Sequence, residues 1–335
     1  MNAILDLGAQ FSWFGCDNFT SSTYTPIPCG SRKCEIARGV GCQQHLRTCG
    51  ASAFNPFQGI LVSKGFAEDT LYANNQPVVK DYTFSCMESR FMEGLASGTN
   101  GILGLARTEI SFHKQVVGKF KLPDKFSLCF PSSGHGKLSI GDPSLSTILG
   151  VSLSATPLIV NPVSTAPSYS VGDPSDEYFI DVKSIKVAGE PRDKISTINN
   201  YTSVHNSIYK PLTRAFVKAA AAIKIKSVAA VAPFRACFTS ESISRTPAGP
   251  YVPTIDLVLP GNEVYWRING GNAMFEVDRK TVCLGIVDGG SNPRTSIVIG
   301  AHQLQEKLLE FDLVSNQLKF FSSSLLIQGK SCSRL

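Results

Sequence analysis

Apolar residues along this chain come in short runs. Val, Ile, Phe, Ser and Thr cluster in stretches broken by Gly, Pro or Asn, a punctuation that predicts many short strands and few helices. Ala3-Ile4-Leu5 enters a tight turn at Asp6-Leu7-Gly8, and Trp13-Phe14 opens a second apolar strand. Each half of the chain then carries a glycine-containing apolar segment. These are Asn100–Ala106 and Ser296–Ala301, so the chain repeats itself loosely. A hairpin is predicted where Glu310–Leu313 and Leu318–Phe321 flank Ser315-Asn316-Gln317. The best helical period runs from Pro211 to Lys224, with Leu212, Phe216, Ala220 and Ile223 on one face and Pro211 near the start. Glu109–Phe120 and Gln303–Leu309 are weaker helix candidates. The Pro- and Ser-rich stretch Thr156–Pro174 has a linker's composition and puts a boundary near Ser164, giving residues 1–163 and 164–335.

Composition narrows the function classes. A chain of 335 residues is long enough for two domains and a large core. Its net charge of +6 is spread thinly, with no dense basic block interleaved with aromatics, which argues against a nucleic-acid partner. The charge serves solubility more readily than attraction to acidic polysaccharide. No apolar run is long enough to span a bilayer, so no membrane partner is expected. Ten cysteines form no C-x-x-C pair, and four of them crowd into residues 29–49. That pattern favours disulfides in an oxidising compartment over a zinc site. Asn18-Phe19-Thr20 and Asn200-Tyr201-Thr202 are N-glycosylation acceptors that agree with secretion. A secretory signal is absent, and the chain begins almost on top of the Asp6 turn, which suggests a processed N-terminus. His45, His113, His135, His205 and His302 are scattered without metal-ligand spacing. No Gly-x-Ser-x-Gly elbow, phosphate loop or dinucleotide fingerprint is present, so neither metal nor cofactor is expected.

Several separated motifs carry a resemblance that covers nearly the whole chain. Asp6-Leu7-Gly8 with Trp13 resembles the D-T-G element of pepsin-like aspartic proteases. Asn100–Ala106, Ile297–Gly300 and Phe311-Asp312 resemble later strands of the same family. Val231–Phe238 and Val282–Gly285 are similar to its plant inhibitor branch, which includes xylanase inhibitors, xyloglucan-specific endoglucanase inhibitors, extracellular dermal glycoproteins and basic seed globulins. The resemblance implies a mainly β, bilobal pepsin-like fold in a secreted, apoplastic monomer. It also implies bridges Cys16–Cys86, Cys129–Cys332 and Cys237–Cys283. For Cys29, Cys34, Cys42 and Cys49 three pairings stay open.

By the same resemblance, Ser196 in Lys194–Asn199 stands where the second catalytic acid belongs. Peptide hydrolysis of this kind needs two carboxylates about 3 Å apart sharing one proton. A serine hydroxyl does not ionise at working pH. Ile198 replaces the glycine of the second motif, Asp181 lies on another strand, and no flap pattern is recognisable between Phe57 and Tyr72. Asp6 and Ser196 are therefore expected to be vestiges, and the protein an inhibitor of glycoside hydrolases. A retaining glycosidase holds two carboxylates about 5–5.5 Å apart, and an arginine fork is the natural plug. Arg294, on the loop Asp288–Thr295, matches the arginine that the endoglucanase-inhibitor subgroup inserts into its target. Arg245 is a second candidate, displaced by about two residues from the subgroup's position. The xylanase-inhibitor subgroup carries a histidine before the final cysteine, and Leu325–Cys332 has none, which favours a family-12 endoglucanase as target. The alternatives are a storage or ligand-binding globulin, which the unenriched Asn and Gln content does not favour, and a residual aspartic endopeptidase.

Overall fold

A computed structural model describes residues 2–43, 47–73, 76–141, 145–166, 172–185 and 192–335. His45 lies outside the described residues. The chain divides into two compact units. The first is Met1–Asp124 with Val160–Tyr178, and the second is Lys125–Ile159 with Phe179–Leu335. The single boundary expected after residue 163 falls inside Val160–Tyr178, which packs with the first unit. Lys125–Cys129 goes to the second because it pairs with Leu308–Asp312, and because Cys129 is bonded to Cys332.

Among the described residues the first unit holds an eight-stranded sheet. Its path is Ile4–Asp6, Gly101–Gly104, Trp13–Gly15, Gln76–Met87, Ile60–Ala73, Thr48–Asn55 and Cys42–Gln43, with Thr25–Pro26 added beside Ile60–Ala73. Phe11, Trp13, Ile27, Phe66, Met87 and Ile102 form the core beneath it. The second unit repeats the central pattern in a five-stranded sheet. There Phe179–Asp181, Arg192–Ile195, Ile297–Ile299, Thr202–Val204 and Ile286–Asp288 follow one another. A separate antiparallel sheet contains the predicted C-terminal hairpin, Leu308–Asp312 against Gln317–Phe320, with Glu310 opposite Lys319. Leu145, Leu308, Phe321 and Leu325 pack around the Cys129–Cys332 bridge.

The longest helix is Asn206–Ala222, which starts five residues before Pro211. His205 makes the early start possible, because its ring nitrogen accepts the Ser207 N–H and supplies a cap that its residue type does not advertise. Phe112–Phe120 fills most of the window expected at Glu109–Phe120. The window expected at Gln303–Leu309 holds only the end of a single turn, Ala301–Leu304, because Leu308 and Leu309 enter the strand Leu308–Asp312. No helix among the described residues is long and apolar enough to cross a membrane.

The five disulfides are Cys16–Cys86, Cys29–Cys42, Cys34–Cys49, Cys129–Cys332 and Cys237–Cys283. The three bridges implied by resemblance are present. In the cysteine-rich stretch, Cys42 and Cys49 face each other across a ladder and each bonds outward, to Cys29 and to Cys34 of the short helix Arg32–Ile36.

Candidate functional site

The two motif turns are built on one plan. In the first unit, Ile4–Asp6 runs parallel to Gly101–Gly104, and Trp13–Gly15 runs antiparallel to the same strand. In the second, Arg192–Ile195 runs parallel to Ile297–Ile299, and Thr202–Val204 runs antiparallel to it. A hydroxyl six residues after each motif position closes the frame. Ser12 Oγ accepts Gly104 N–H at 3.1 Å, and Thr202 Oγ1 accepts Gly300 N–H at 3.1 Å. Both glycines are obligatory by close approach. A Cβ at Gly104 would lie 2.6 Å from the Ala9 and Phe11 carbonyl oxygens, and one at Gly300 would lie 2.4 Å from that of Tyr201.

The side chains at the head of each turn differ. Asp6 is half-buried, and its Oδ1 accepts Gly8 N–H at 2.7 Å. Ser196 is buried, and its Oγ accepts Ile198 N–H and Asn199 N–H, each at 3.2 Å. The same hydroxyl donates its one proton to Asn199 Oδ1 at 2.8 Å. Ser196 therefore reproduces the turn-holding role of a carboxylate without its charge, and its proton is committed to a group that does not titrate.

Asp181, at the end of the strand Phe179–Asp181, pairs with Lys183 at 2.7 Å. Sequence reasoning overlooked Glu177, which is buried in the first unit beside the Asp6 turn. A Cβ added at Gly8 would meet Glu177 Oε1 at 2.9 Å and Asp6 Oδ1 at 3.3 Å, so this glycine separates two carboxylates. Glu177 arrives there by long-range packing. Tyr178 donates its hydroxyl to Leu105 O at 2.8 Å, and Asp176 accepts hydrogen bonds from Gln10 and Arg38 at 2.8 and 2.7 Å. Its position just before an apolar strand was the sole sequence signal.

A long hairpin, Thr48–Asn55 with Ile60–Ala73, occupies the region without a flap motif. Its tip is latched. The buried Asn55 amide donates to Phe91 O and Glu93 O at 2.8 and 3.1 Å, and its carbonyl accepts Phe57 N–H at 2.9 Å.

Arg294 is exposed on the loop between Ile286–Asp288 and Ile297–Ile299. That loop is braced at several points. Gly289 N donates to Val204 O at 2.8 Å, Asn206 N to Gly290 O at 2.9 Å, and His205 N to Ser296 O at 2.8 Å. With its Nδ1 accepting from Ser207, His205 carries its proton on Nε2 and donates it to Ser291 O at 3.0 Å. Arg245 sits in the small ribbon Arg245–Thr246 with Gly249–Pro250, and its guanidinium donates to Glu276. The structure thus places the two arginines on different elements and holds Arg245 in an ion pair. The sequon residues Asn18 and Asn200 are both exposed. No group of described residues could hold a metal ion.

Comparison with known proteins adds the following. Family models described as xylanase inhibitor N-terminal and xylanase inhibitor C-terminal match residues 1–142 and 177–322. A probable aspartic proteinase GIP2 of Nicotiana benthamiana is 41% identical, over 98% of this chain and 84% of its own length. The crystal structure of edgp superposes with a TM-score of 0.89 at 38% identity, covering 99% of this chain and 90% of the other. At 14% identity and a TM-score of 0.65, an aspartic proteinase from Irpex lacteus shares the fold over 97% of this chain and 90% of its own.

Proposed function

Since the chain belongs to the family defined by the xylanase-inhibitor N- and C-terminal domains, we propose that it is a secreted protein inhibitor of glycoside hydrolases and not a protease. The preferred target is a family-12 endoglucanase acting on xyloglucan. The observation that carries this reading is the Arg294 loop. It is exposed, yet tied at Gly289, Gly290 and Ser291, so little ordering entropy is lost when it docks. A guanidinium there can meet a glycosidase carboxylate in two parallel hydrogen bonds. Arg245 is the lesser contributor, because it stands about two residues from the position that the resemblance gives this arginine. The loss of protease chemistry is supported by Ser196, whose hydroxyl is engaged with Asn199 and carries no charge to share. The ten cysteines, all bridged among the described residues, and the exposed Asn18 and Asn200 sequons agree with an extracellular location and glycosylation.

The test is inhibition of a family-12 endoglucanase and a family-11 xylanase by the purified protein. Inhibition of the first alone is expected. Arg294→Ala should weaken it by about 30-fold or more, the equivalent of the roughly 2–5 kcal/mol lost with a buried charge-paired contact, and Arg245→Ala far less. An unchanged inhibition constant in Arg294→Ala removes that residue from the interface. Inhibition of neither enzyme moves the weight to a ligand-binding or storage globulin.

Glu177 favours one second reading, a residual acid endopeptidase built on two carboxylates beside Gly8. It requires peptide turnover at acidic pH that disappears in both Asp6→Ala and Glu177→Gln. No turnover is expected.

A further inference from the structure

The turn at Cys16–Phe19 is pinned from three directions. Phe19 N donates to Cys16 O at 3.0 Å and closes it. Cys16 is fixed by its bridge to Cys86 and by donating its N–H to Met87 O at 2.9 Å. Asp17 accepts the Ser89 N–H at 2.9 Å. Asn18 sits at the tip with φ 59°, in the left-handed region that asparagine tolerates. Its side chain is exposed on a rigid support, and so is Thr20, which completes the sequon.

Beside this turn lies a concavity of about 450 Å³, lined by Cys16, Phe19, Thr20, Ser21, Tyr24 and Cys86. That volume falls within the range of small-molecule sites, about 300–1,000 Å³. Two of its walls are aromatic and open to solvent, with Phe19 48% and Tyr24 37% exposed. Their rings meet edge to face at 6.2 Å, and Tyr24 is backed by the buried Phe84 at 6.3 Å. The segment bearing them is tied down, since Ser21 and Thr23 both donate to the buried Asp69 carboxylate. The site therefore offers fixed aromatic surface together with the hydroxyls of Thr20 and Ser21, the latter as an acceptor because its proton is given to Asp69. A pyranose is complementary to both, with an apolar C–H face and a polar rim.

We infer that the first N-acetylglucosamine of a glycan on Asn18 packs into this concavity against Phe19 and Tyr24. The inference rests on the secreted reading above, which expects the sequon to be used. What it adds is a seat for the sugar. Covalent attachment makes the contact intramolecular, so a weak stacking interaction is enough to populate it. The glycan would cover two exposed rings and stiffen the edge of the first unit.

The experiment uses the full chain from a eukaryotic secretory host. Glycopeptide mass spectrometry reads occupancy at Asn18. The glycan is trimmed to one N-acetylglucosamine, and cross-relaxation between sugar and ring protons is recorded by NMR. Enzymatic release of the untrimmed glycan from native protein is timed in wild type, Tyr24→Ala and Tyr24→Leu. Expected are an occupied Asn18, cross-peaks from the sugar to Tyr24 and Phe19, and release about tenfold faster in Tyr24→Ala. Tyr24→Leu keeps apolar bulk without the ring and should also release faster, which guards against a folding defect in the alanine variant. An occupied Asn18 with no cross-peaks and equal release rates overturns the inference. An unoccupied Asn18 in the secreted protein overturns it too, and leaves the inhibitor reading to stand or fall on its own assay.

Discussion

The turns at Asp6 and Ser196 share a frame and part company at one side chain. Each heads a strand that runs parallel to a glycine-ended apolar strand, and each is closed by a hydroxyl six residues on. Asp6 holds its turn with one carboxylate oxygen on Gly8 N–H, and Ser196 holds its own with one hydroxyl oxygen on two N–H groups. The difference separates two jobs that a catalytic aspartate does at once. The structural job, satisfying backbone donors, needs only an acceptor and survives replacement by serine. The chemical job needs an ionisable proton and does not.

Each unit also buries a base whose proton affinity the fold lowers. Burial pushes the Lys307 amine down to about 7, with Arg267 adding to the effect and Asp256 opposing it. Its Nζ donates to the carbonyls of Ser322 and Ser323, over the Trp266 ring. Below that pH both folded and unfolded chains hold the proton and its burial penalty is constant. Between about 7 and the ordinary lysine value near 10.5 only the unfolded chain holds it, so this group makes stability rise with pH. In the first unit, burial beside Lys114 pushes His113 down to about 3. Between that value and the ordinary 6.5 only the unfolded chain is protonated, so this group makes stability fall as acid is added. Denaturant titrations should therefore show Lys307→Met losing the alkaline rise and His113→Leu losing part of the acid fall. Each difference should amount to several kcal/mol, since every tenfold change in proton affinity between the folded and unfolded chains is worth about 1.4 kcal/mol. Parallel curves for wild type and variant would refute the assignment.

At the turns themselves the expected effects are smaller. Gly8→Ala forces a Cβ against Glu177 and should cost about 1–3 kcal/mol of stability, as overpacking does. The second turn already carries a half-buried side chain at the matching position, so Ile198→Ala introduces no clash and should cost only about 1 kcal/mol of lost apolar burial. Equal losses would mean that the frames are less alike than their hydrogen bonds indicate. Ser196→Ala strands the Ile198 and Asn199 N–H groups and should cost about 1–3 kcal/mol, whereas Ser196→Thr keeps the acceptor and should recover most of it.

The mildest perturbation is His205→Asn. Asparagine still caps the long helix but does not reach Ser291. Thermal stability should hold while trypsin cuts after Arg294 several-fold faster. An unchanged cleavage rate would show that the loop does not depend on His205.

The strands and the repeat were legible because local signals agree there: period, turn residues and the D-L-G and glycine-ended motifs all point one way. The helix start was not, since histidine rarely caps and Pro211 looked like a first-turn residue. Lys125–Cys129 joins the second unit through pairing with residues some 180 positions away, which local pattern does not encode. Glu177 escaped for the same reason. It matters through its distance from Gly8, and nothing in Asp176-Glu177-Tyr178 marks that. Arg245 was recognised as a residue type in a loop, but its ion pair with Glu276 is a property of the fold.

Thr202 has a consequence for biogenesis. Its hydroxyl is buried in the frame of the second turn, donating to Gln303 and accepting from Gly300. That same hydroxyl completes the Asn200 acceptor triplet, and a glycosyltransferase has to reach it. Any oligosaccharide at Asn200 is therefore installed on the nascent chain, before the second unit closes. The exposed Thr20 leaves the Asn18 site readable after folding as well. The two sequons then keep different clocks, and slowed maturation of the second unit should raise occupancy at Asn200 alone.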